Sequence, residues 1–186
     1  FAHTWSEYPA TLPHELDARL MDATIVISSK IALRGETLAK FPAIRFIAVA
    51  GTGTDAFDLD YCRVHGIAVS NVSGYAKDTV PEHAFMLILA LMRNLPAYRA
   101  DVQAGLWQEA EPFCLMTHPL TDLHGKTLGI VGEGAIGQGS ARIARGFGMQ
   151  VLFADHAPPK ASGVDYVPLP QLLARSDVVS LHCPLT

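Results

Sequence analysis

Short runs of apolar, largely β-branched residues recur along this chain. Between them, apolar positions return every three or four residues. The runs are Ile25-Val26-Ile27, Phe46-Ile47-Ala48-Val49, Ile67-Ala68-Val69, Leu128-Gly129-Ile130-Val131, Val151-Leu152-Phe153 and Val178-Val179-Ser180-Leu181. They predict strands, and the helical period predicts helices over 33–41, 59–65, 136–147 and 169–175. Strands that are nearly continuous in apolar residues need cover on both faces. Strand and helix in alternation therefore give an α/β fold on parallel sheets.

The alternation breaks once. Residues 79–99 predict a single long helix, with Pro81 in the first turn, where a missing N–H costs nothing. Its stretch 83–92 is apolar almost all round, which calls for burial on most sides, between domains or against a second subunit. Pro96, Gly105, Pro112, Pro119 and Gly125 then punctuate an irregular arm carrying Trp107, Phe113 and Met116. An arm this apolar and aperiodic is expected to wrap over another surface. The organisation expected is a first α/β unit over 1–77, a helix and arm over 78–125, and a second α/β unit over 126–186.

Composition narrows the class. Hydrophobic residues are 49% and charged residues 17%, a globular balance. A net charge of -4 gives no electrostatic reason to expect nucleic acid or an anionic membrane surface as partner. The longest apolar run, AFMLILALM, falls well short of the roughly 20 residues that span a bilayer. Cys62, Cys114 and Cys183 are odd in number and include no C-x-x-C pair. No zinc site or disulfide framework is expected from them, all three are expected to be buried or half-buried, and a reducing cytoplasm fits best. The opening residues lack a basic-then-apolar leader pattern and an initiator Met, and the last ones read as a strand with its outgoing loop begun. A fragment is expected.

The densest chemical signal is Gly132-Glu133-Gly134-Ala135-Ile136-Gly137, between a strand and a helix. In that context the glycines have separate tasks. Gly132 allows the sharp turn, Gly134 lets backbone approach a pyrophosphate, and Gly137 lets the helix pack close to the strand. The helix start, from Ala135 and Ile136 onward, offers free N–H groups and a positive dipole end to phosphates. The next strand leads into Asp155, eighteen residues after Gly137. An acid there can accept both ribose hydroxyls of an adenosine and repels a 2′-phosphate, so NAD is favoured over NADP. The bare motif also fits a tight connection with no ligand. The register of strand, turn, helix, strand and terminal acid weighs against that. Glu133 puts a carboxylate on the same turn: pointing away it costs little, pointing in it lowers phosphate affinity.

Val49-Ala50-Gly51-Thr52-Gly53-Thr54-Asp55, Asp58-Leu59-Asp60, His65-Gly66-Ile67-Ala68-Val69-Ser70-Asn71, Thr79-Val80-Pro81-Glu82-His83, Gly105-Leu106-Trp107, the glycine turn, and the end from Ser176 to Thr186 together resemble the D-isomer-specific 2-hydroxyacid dehydrogenases. Phe113-Cys114-Leu115 and Asp122-Leu123-His124-Gly125-Lys126-Thr127 resemble most closely the glycerate dehydrogenase (hydroxypyruvate reductase) branch of that family. Two positions depart from the family pattern: Pro81 replaces an alanine and Ala56 an asparagine.

The resemblance implies a Rossmann-type doubly wound parallel sheet, truncated here, beside a flavodoxin-like substrate domain, and a homodimer through the long helix and arm. It implies that Gly51, Thr52 and Gly53 bind the substrate carboxylate through main-chain N–H groups, as a nest of successive donors can. Thr79 would lie near the nicotinamide, and His182, Cys183 and Pro184 would pass the adenosine and its ribose. The reaction implied is hydride transfer between a small 2-keto acid (hydroxypyruvate or glyoxylate favoured) and its D-2-hydroxy acid. The family's arginine, carboxylate and acid/base histidine are expected beyond Thr186, so no catalytic residue is assigned within the chain.

Eight histidines offer no substitute donor. His83 opens a helix and is expected to cap or pack there. His65 and His124 precede glycines as turn residues, and His182 belongs to the cofactor-facing segment. Two other readings stand beside the enzyme: a non-catalytic, dimeric NAD-sensing module of the same fold, and an S-adenosylmethionine domain, which the three-glycine turn disfavours.

Overall fold

The computed structural model describes residues 2–111, 113–154 and 165–184. In chain order, a short 3-10 turn leads into α1 (Leu16–Leu20), β1 (Ile25–Ser28), α2 (Gly35–Leu38), β2 (Phe46–Val49), α3 (Leu59–Val64) and β3 (Ala68–Asn71). Then come α4 (Thr79–Met92), α5 (Leu95–Gln103) and α6 (Leu106–Glu109). Last are β4 (Thr127–Val131), α7 (Ala135–Gly146), β5 (Gln150–Ala154), β6 (Asp165–Val167), α8 (Leu169–Arg175) and β7 (Val178–Leu181). The chain divides into two compact units, 1–75 and 76–186.

In the first unit, β1, β2 and β3 lie side by side in that order, all parallel. Ile47 and Val49 of β2 are buried with Leu33, Leu38, Phe41 and Phe57. The helix after β2 starts where Asp58 accepts a hydrogen bond from the Tyr61 N–H at 2.9 Å, the capping expected of an Asx residue there. It ends at His65, stacked on Tyr61, and at Gly66, whose φ is +69°. The helix expected over 33–41 is only one turn long. Leu33 is instead extended, bridged in parallel to Phe57, and the main chain after Leu38 closes in turns.

The second unit carries four parallel strands in the order β6-β5-β4-β7. The chain steps outward from β4 to β6, then returns to lie on the other side of β4, so the order reverses between β4 and β7. Both faces are covered. On one, Leu128, Ile130 and Phe153 pack with Ala141 and Ala144 of α7 and with Phe85 and Ile88 of α4. On the other, Leu152, Ala154 and Val167 pack with Leu172 of α8. Side chains as fully buried as Leu128, Ile130 and Phe153 each contribute about 1.5–3 kcal/mol. The strand β6 has only three residues, one of them charged, and no apolar run announced it.

The helix expected over 79–99 is two helices. Inside one helix the Pro96 ring would collide with the carbonyl four residues earlier. The chain turns instead at Asn94, which takes a left-handed φ of +49° that an Asx residue tolerates. Burial also differs from expectation. Pro81, Phe85 and Ile88 are buried, whereas Met86, Leu87 and Leu91 are exposed, because α7 and the sheet cover only one side of α4. His83 is exposed rather than packed. Among the cysteines Cys62 is buried and Cys114 half-buried, but Cys183 is exposed because it stands past the end of β7. Among the described residues no helix is long and apolar enough to cross a membrane.

Candidate functional site

The glycine turn lies at the carboxyl end of β4, beside the place where the strand order reverses, and α/β sheets of this kind bind ligands there. Gly132 has a φ of +108°, and a Cβ on it would stand 2.5 Å from the His182 carbonyl. A Cβ on Gly137 would lie 2.0 Å from the Gly132 oxygen. These two glycines are required by the protein's own packing. Gly134 is different: its Cβ direction meets nothing within 4 Å. It is the N-cap of α7, makes no side-chain cap, and takes the first helical bond on its carbonyl from the Gln138 N–H. The N–H groups of Ala135, Ile136 and Gly137 therefore have no acceptor within the helix. An open approach to free N–H groups at a twelve-residue helix start is what a pyrophosphate needs. The residues present fit a dinucleotide.

Deeper in α7, a Cβ on Gly139 would meet the Lys77 carbonyl at 2.5 Å and the Pro81 ring at 2.8 Å. Arg142 pairs with Asp78 at 3.1 Å. These contacts set the start of α4 against α7 and place Thr79, exposed, in the first turn of α4. The other wall is the segment after β7. The His182 N–H donates to the Val131 carbonyl at 2.7 Å. Its Nε2 lies 3.0 Å from the Ser140 hydroxyl of α7 and 2.9 Å from that of Ser180. Burial holds the His182 pKa below its ordinary value, so the ring is neutral and serves as a brace between α7 and β7. Cys183 and Pro184 follow, exposed. Asp155 lies outside the described residues.

Glu133 is turned to neighbours within its own unit. Its Oε1 accepts from the Tyr166 hydroxyl at 2.6 Å and from Gln138 Nε2 at 2.9 Å. Neither partner was foreseen. Tyr166 sits on the strand without a sequence signal, and Gln138 reads as an ordinary helix residue. Ser140 and Ser180, which hold His182, were likewise unforeseen.

In the first unit, Gly51, Thr52 and Gly53 follow β2. The Val72 N–H donates to the Gly51 carbonyl at 3.0 Å, Asn71 Nδ2 to the Thr52 carbonyl at 2.8 Å, and the Thr52 hydroxyl to the Val72 carbonyl at 2.8 Å. The carbonyls of Gly51 and Thr52 and the Thr52 hydroxyl are thus spent on β3 and its exit. Among the described residues none accepts from the N–H groups of Gly51, Thr52 or Gly53. Three successive main-chain donors are thus left over at this loop, which is what binding a small anion requires. Asn71, at the carboxyl end of a strand, is the brace that sequence position alone could have suggested.

Elsewhere the first unit has an open depression of about 620 Å³ lined by Arg34, Gly35, Glu36, Ala39, Asp58 and Tyr61. Its acid Asp58 is occupied in capping α3 and in accepting from the Gly35 N–H, so the depression is a by-product of helix starts. Burial, and secondarily the charge of Asp58, raise the Cys62 thiol above its ordinary pKa, which makes it a packing residue rather than a nucleophile. Among the described residues no three His, Cys, Asp or Glu side chains gather as metal ligands.

Known proteins match this arrangement. The sequence profile of the D-isomer specific 2-hydroxyacid dehydrogenase NAD-binding domain matches residues 85–186. A glycerate dehydrogenase of Methylorubrum extorquens is 41% identical over 187 residues, covering 100% of this chain and 58% of that protein. A hydroxypyruvate reductase of Blautia hydrogenotrophica is 36% identical over 174 residues, covering 92% of this chain and 54% of that protein. Among solved structures, D-lactate dehydrogenase of Aquifex aeolicus, complexed with NAD and lactic acid, superposes with a TM-score of 0.77 at 32% identity. It covers 91% of this chain and 51% of that one. The chain thus spans between half and three fifths of the length of these relatives.

Proposed function

The chain belongs to the D-isomer-specific 2-hydroxyacid dehydrogenase family, and on that premise we propose that it carries the cofactor seat and the carboxylate seat of an NAD-dependent reductase of small 2-keto acids. Hydroxypyruvate and glyoxylate are the substrates proposed, in keeping with the glycerate dehydrogenase and hydroxypyruvate reductase among its relatives. The observation that carries this reading is the free, unobstructed start of α7 at the reversal of strand order.

In this reading the main-chain N–H groups of Ala135, Ile136 and Gly137 hold the pyrophosphate, and Gly132 and Gly134 give it access. Asp155 accepts the adenosine ribose hydroxyls and favours NAD over NADP. Thr79, His182, Cys183 and Pro184 border the same cofactor. The N–H groups of Gly51, Thr52 and Gly53 hold the substrate carboxylate, so that the reacting carbonyl is oriented before any chemistry. The nicotinamide, when bound, supplies the hydride. The proton goes to the carbonyl oxygen from a histidine assigned, with an arginine and a carboxylate, to sequence following Thr186. A non-catalytic NAD-sensing module has no comparable support, because the similar proteins named above are a dehydrogenase and reductase series.

The exposed apolar face of α4, with Leu91 at 75%, and the arm, with Phe113 at 98%, are assigned to a second copy of the chain. The 1–77, 78–125 and 126–186 division is retained as the functional one: carboxylate seat, dimer element and cofactor seat. A cytoplasmic location is part of the same proposal. The test is the full-length protein with NADH and a panel of 2-keto acids. Loss of the NADH absorbance band with hydroxypyruvate or glyoxylate, in a protein that sediments as a dimer, is the expected result. No loss with any acid of the panel overturns the assignment.

A further inference from the structure

Glu133 fills the first variable position of the glycine turn, beside the path of an incoming dinucleotide. Its carboxylate is fixed in place by two donors, Tyr166 from β6 and Gln138 from α7. None of the first-turn N–H groups of α7 is spent on it, so the seat for the pyrophosphate stays free.

The sheet order gives this bond a location. β5 lies between β4 and β6, so a contact from the turn after β4 to a side chain of β6 must cross β5. It crosses near the carboxyl end of β5. Tyr166 is in register with Phe153, the penultimate residue of that strand, and the two rings lie 6.0 Å apart. It crosses on the face that α7 covers, where Phe153 and Tyr166 pack with Ala141 and Ala144. In a sheet wound this way the adenosine ribose of a dinucleotide rests against the carboxyl end of the second strand, which here is β5.

We propose that Glu133, held by Tyr166 and Gln138, is a specificity-determining residue that rejects a 2′-phosphate on the adenosine ribose. The proposal rests on the dinucleotide reading above and deepens it. A 2′-phosphate brings up to about two negative charges near neutral pH into a half-buried place that already holds a carboxylate. The two hydrogen bonds remove the carboxylate's freedom to swing into water and leave its charge intact. The ribose hydroxyls of NAD bring no such charge. Two cations of this unit are engaged elsewhere: Arg142 with Asp78, and Lys126 with Asp177.

The test is titration of the full-length protein with NADH and with NADPH, followed by nicotinamide fluorescence, in wild type, Glu133→Gln and Tyr166→Phe. The glutamine keeps an acceptor for Tyr166 and loses the charge. The ratio of the NADPH to the NADH dissociation constant is expected to fall about tenfold, as removal of one near charge in a half-buried site allows. Tyr166→Phe keeps the charge but frees it, and the ratio is expected to fall by a smaller factor. A Glu133→Gln protein that binds NADH with an unaltered ratio overturns the proposal, as does a wild type that prefers NADPH. If Glu133→Gln fails to fold, the Tyr166→Phe ratio decides in the same way. A folded wild type that binds neither cofactor removes the dinucleotide reading itself, an outcome distinct from an unaltered ratio.

Discussion

Two glycine-containing loops stand at the carboxyl ends of parallel strands in this protein, Gly51 to Gly53 after β2 and Gly132 to Gly137 after β4. They look alike in sequence and differ in what surrounds them. At Gly132 and Gly137 an added Cβ would run into the protein's own backbone, whereas at Gly51 and Gly134 it would meet nothing within 4 Å. At Gly53 it would meet only the side-chain carboxylate of Asp55, at 2.9 Å. A glycine that internal packing demands says little about ligands. A glycine with open space in front, beside N–H groups without acceptors, leaves room for a ligand to approach. By that criterion the second loop mixes both kinds, while in the first Gly51 is open and Gly53 meets only the Asp55 side chain.

The largest effect expected from this contrast is on stability. Gly137→Ala puts a Cβ 2.0 Å from the Gly132 oxygen, where no flexible side chain can give way. Gly132→Ala adds a strained φ to a backbone clash. Each should cost on the order of 3 kcal/mol or more, either in lost stability or in failure to fold. Denaturant titration of the full-length variants measures it. If Gly137→Ala unfolds at the wild-type midpoint, α7 does not pack against the turn after β4 as closely as the 2.0 Å approach to the Gly132 oxygen implies.

The intermediate effect reverses the pattern. Gly134→Ala and Gly51→Ala should change stability by no more than about 0.5 kcal/mol, since both new methyl groups enter open space. Each should instead weaken one ligand by about tenfold, corresponding to roughly 1.4 kcal/mol. Gly134→Ala should raise the NADH dissociation constant, and Gly51→Ala the KM for the keto acid. A loss of stability in Gly134→Ala comparable with Gly137→Ala, with NADH affinity retained, would erase the distinction between the two kinds of glycine.

The contrast also shows what the sequence could disclose. The strands with buried apolar runs, the glycine turn and its helix are legible because each obeys a local rule. Hydrophobic period sets the element, and the sharp turn and close packing demand glycine at Gly132 and Gly137. The break at Asn94 is legible too, because Pro96 cannot continue a helix and is accommodated only in the first turn of a new one. β6 was not legible, because Asp165-Tyr166-Val167 is stabilised by pairing with β5 and not by its own pattern. Everything depending on β6 was hidden with it, above all the Tyr166 bond that fixes Glu133. The Ser140, Ser180 and His182 contacts were hidden for a related reason. Ser140 and His182 lie far apart in the chain, and the hydroxyls of Ser140 and Ser180 give no signal until the position of the His182 ring is known.

The smallest effect expected concerns that His182 brace, whose counterpart at the Gly51 loop, Asn71, has a side chain that does not titrate. Burial lowers the pKa of His182 from 6.5, so the unfolded chain takes up a proton at a pH where the folded chain does not. Well above pH 6.5 the ring is neutral in both states and contributes no pH dependence. As pH falls below 6.5 toward the lowered folded value, the unfolded state gains protons first and stability declines. Asp177 also has a lowered pKa, mainly from the Thr127 N–H and then from Lys126. It acts in a separate window: its contribution is present above 3.8 and is lost as pH falls through its lowered folded value. Denaturation midpoints from about pH 7 to about pH 5 therefore report on His182 before Asp177 enters. His182→Gln keeps a polar partner for Ser140 and Ser180 but does not titrate, so it should flatten the decline within that window. An identical acid slope in wild type and His182→Gln would show that the ring is solvated when folded, and that the turn is braced by the His182 main chain alone.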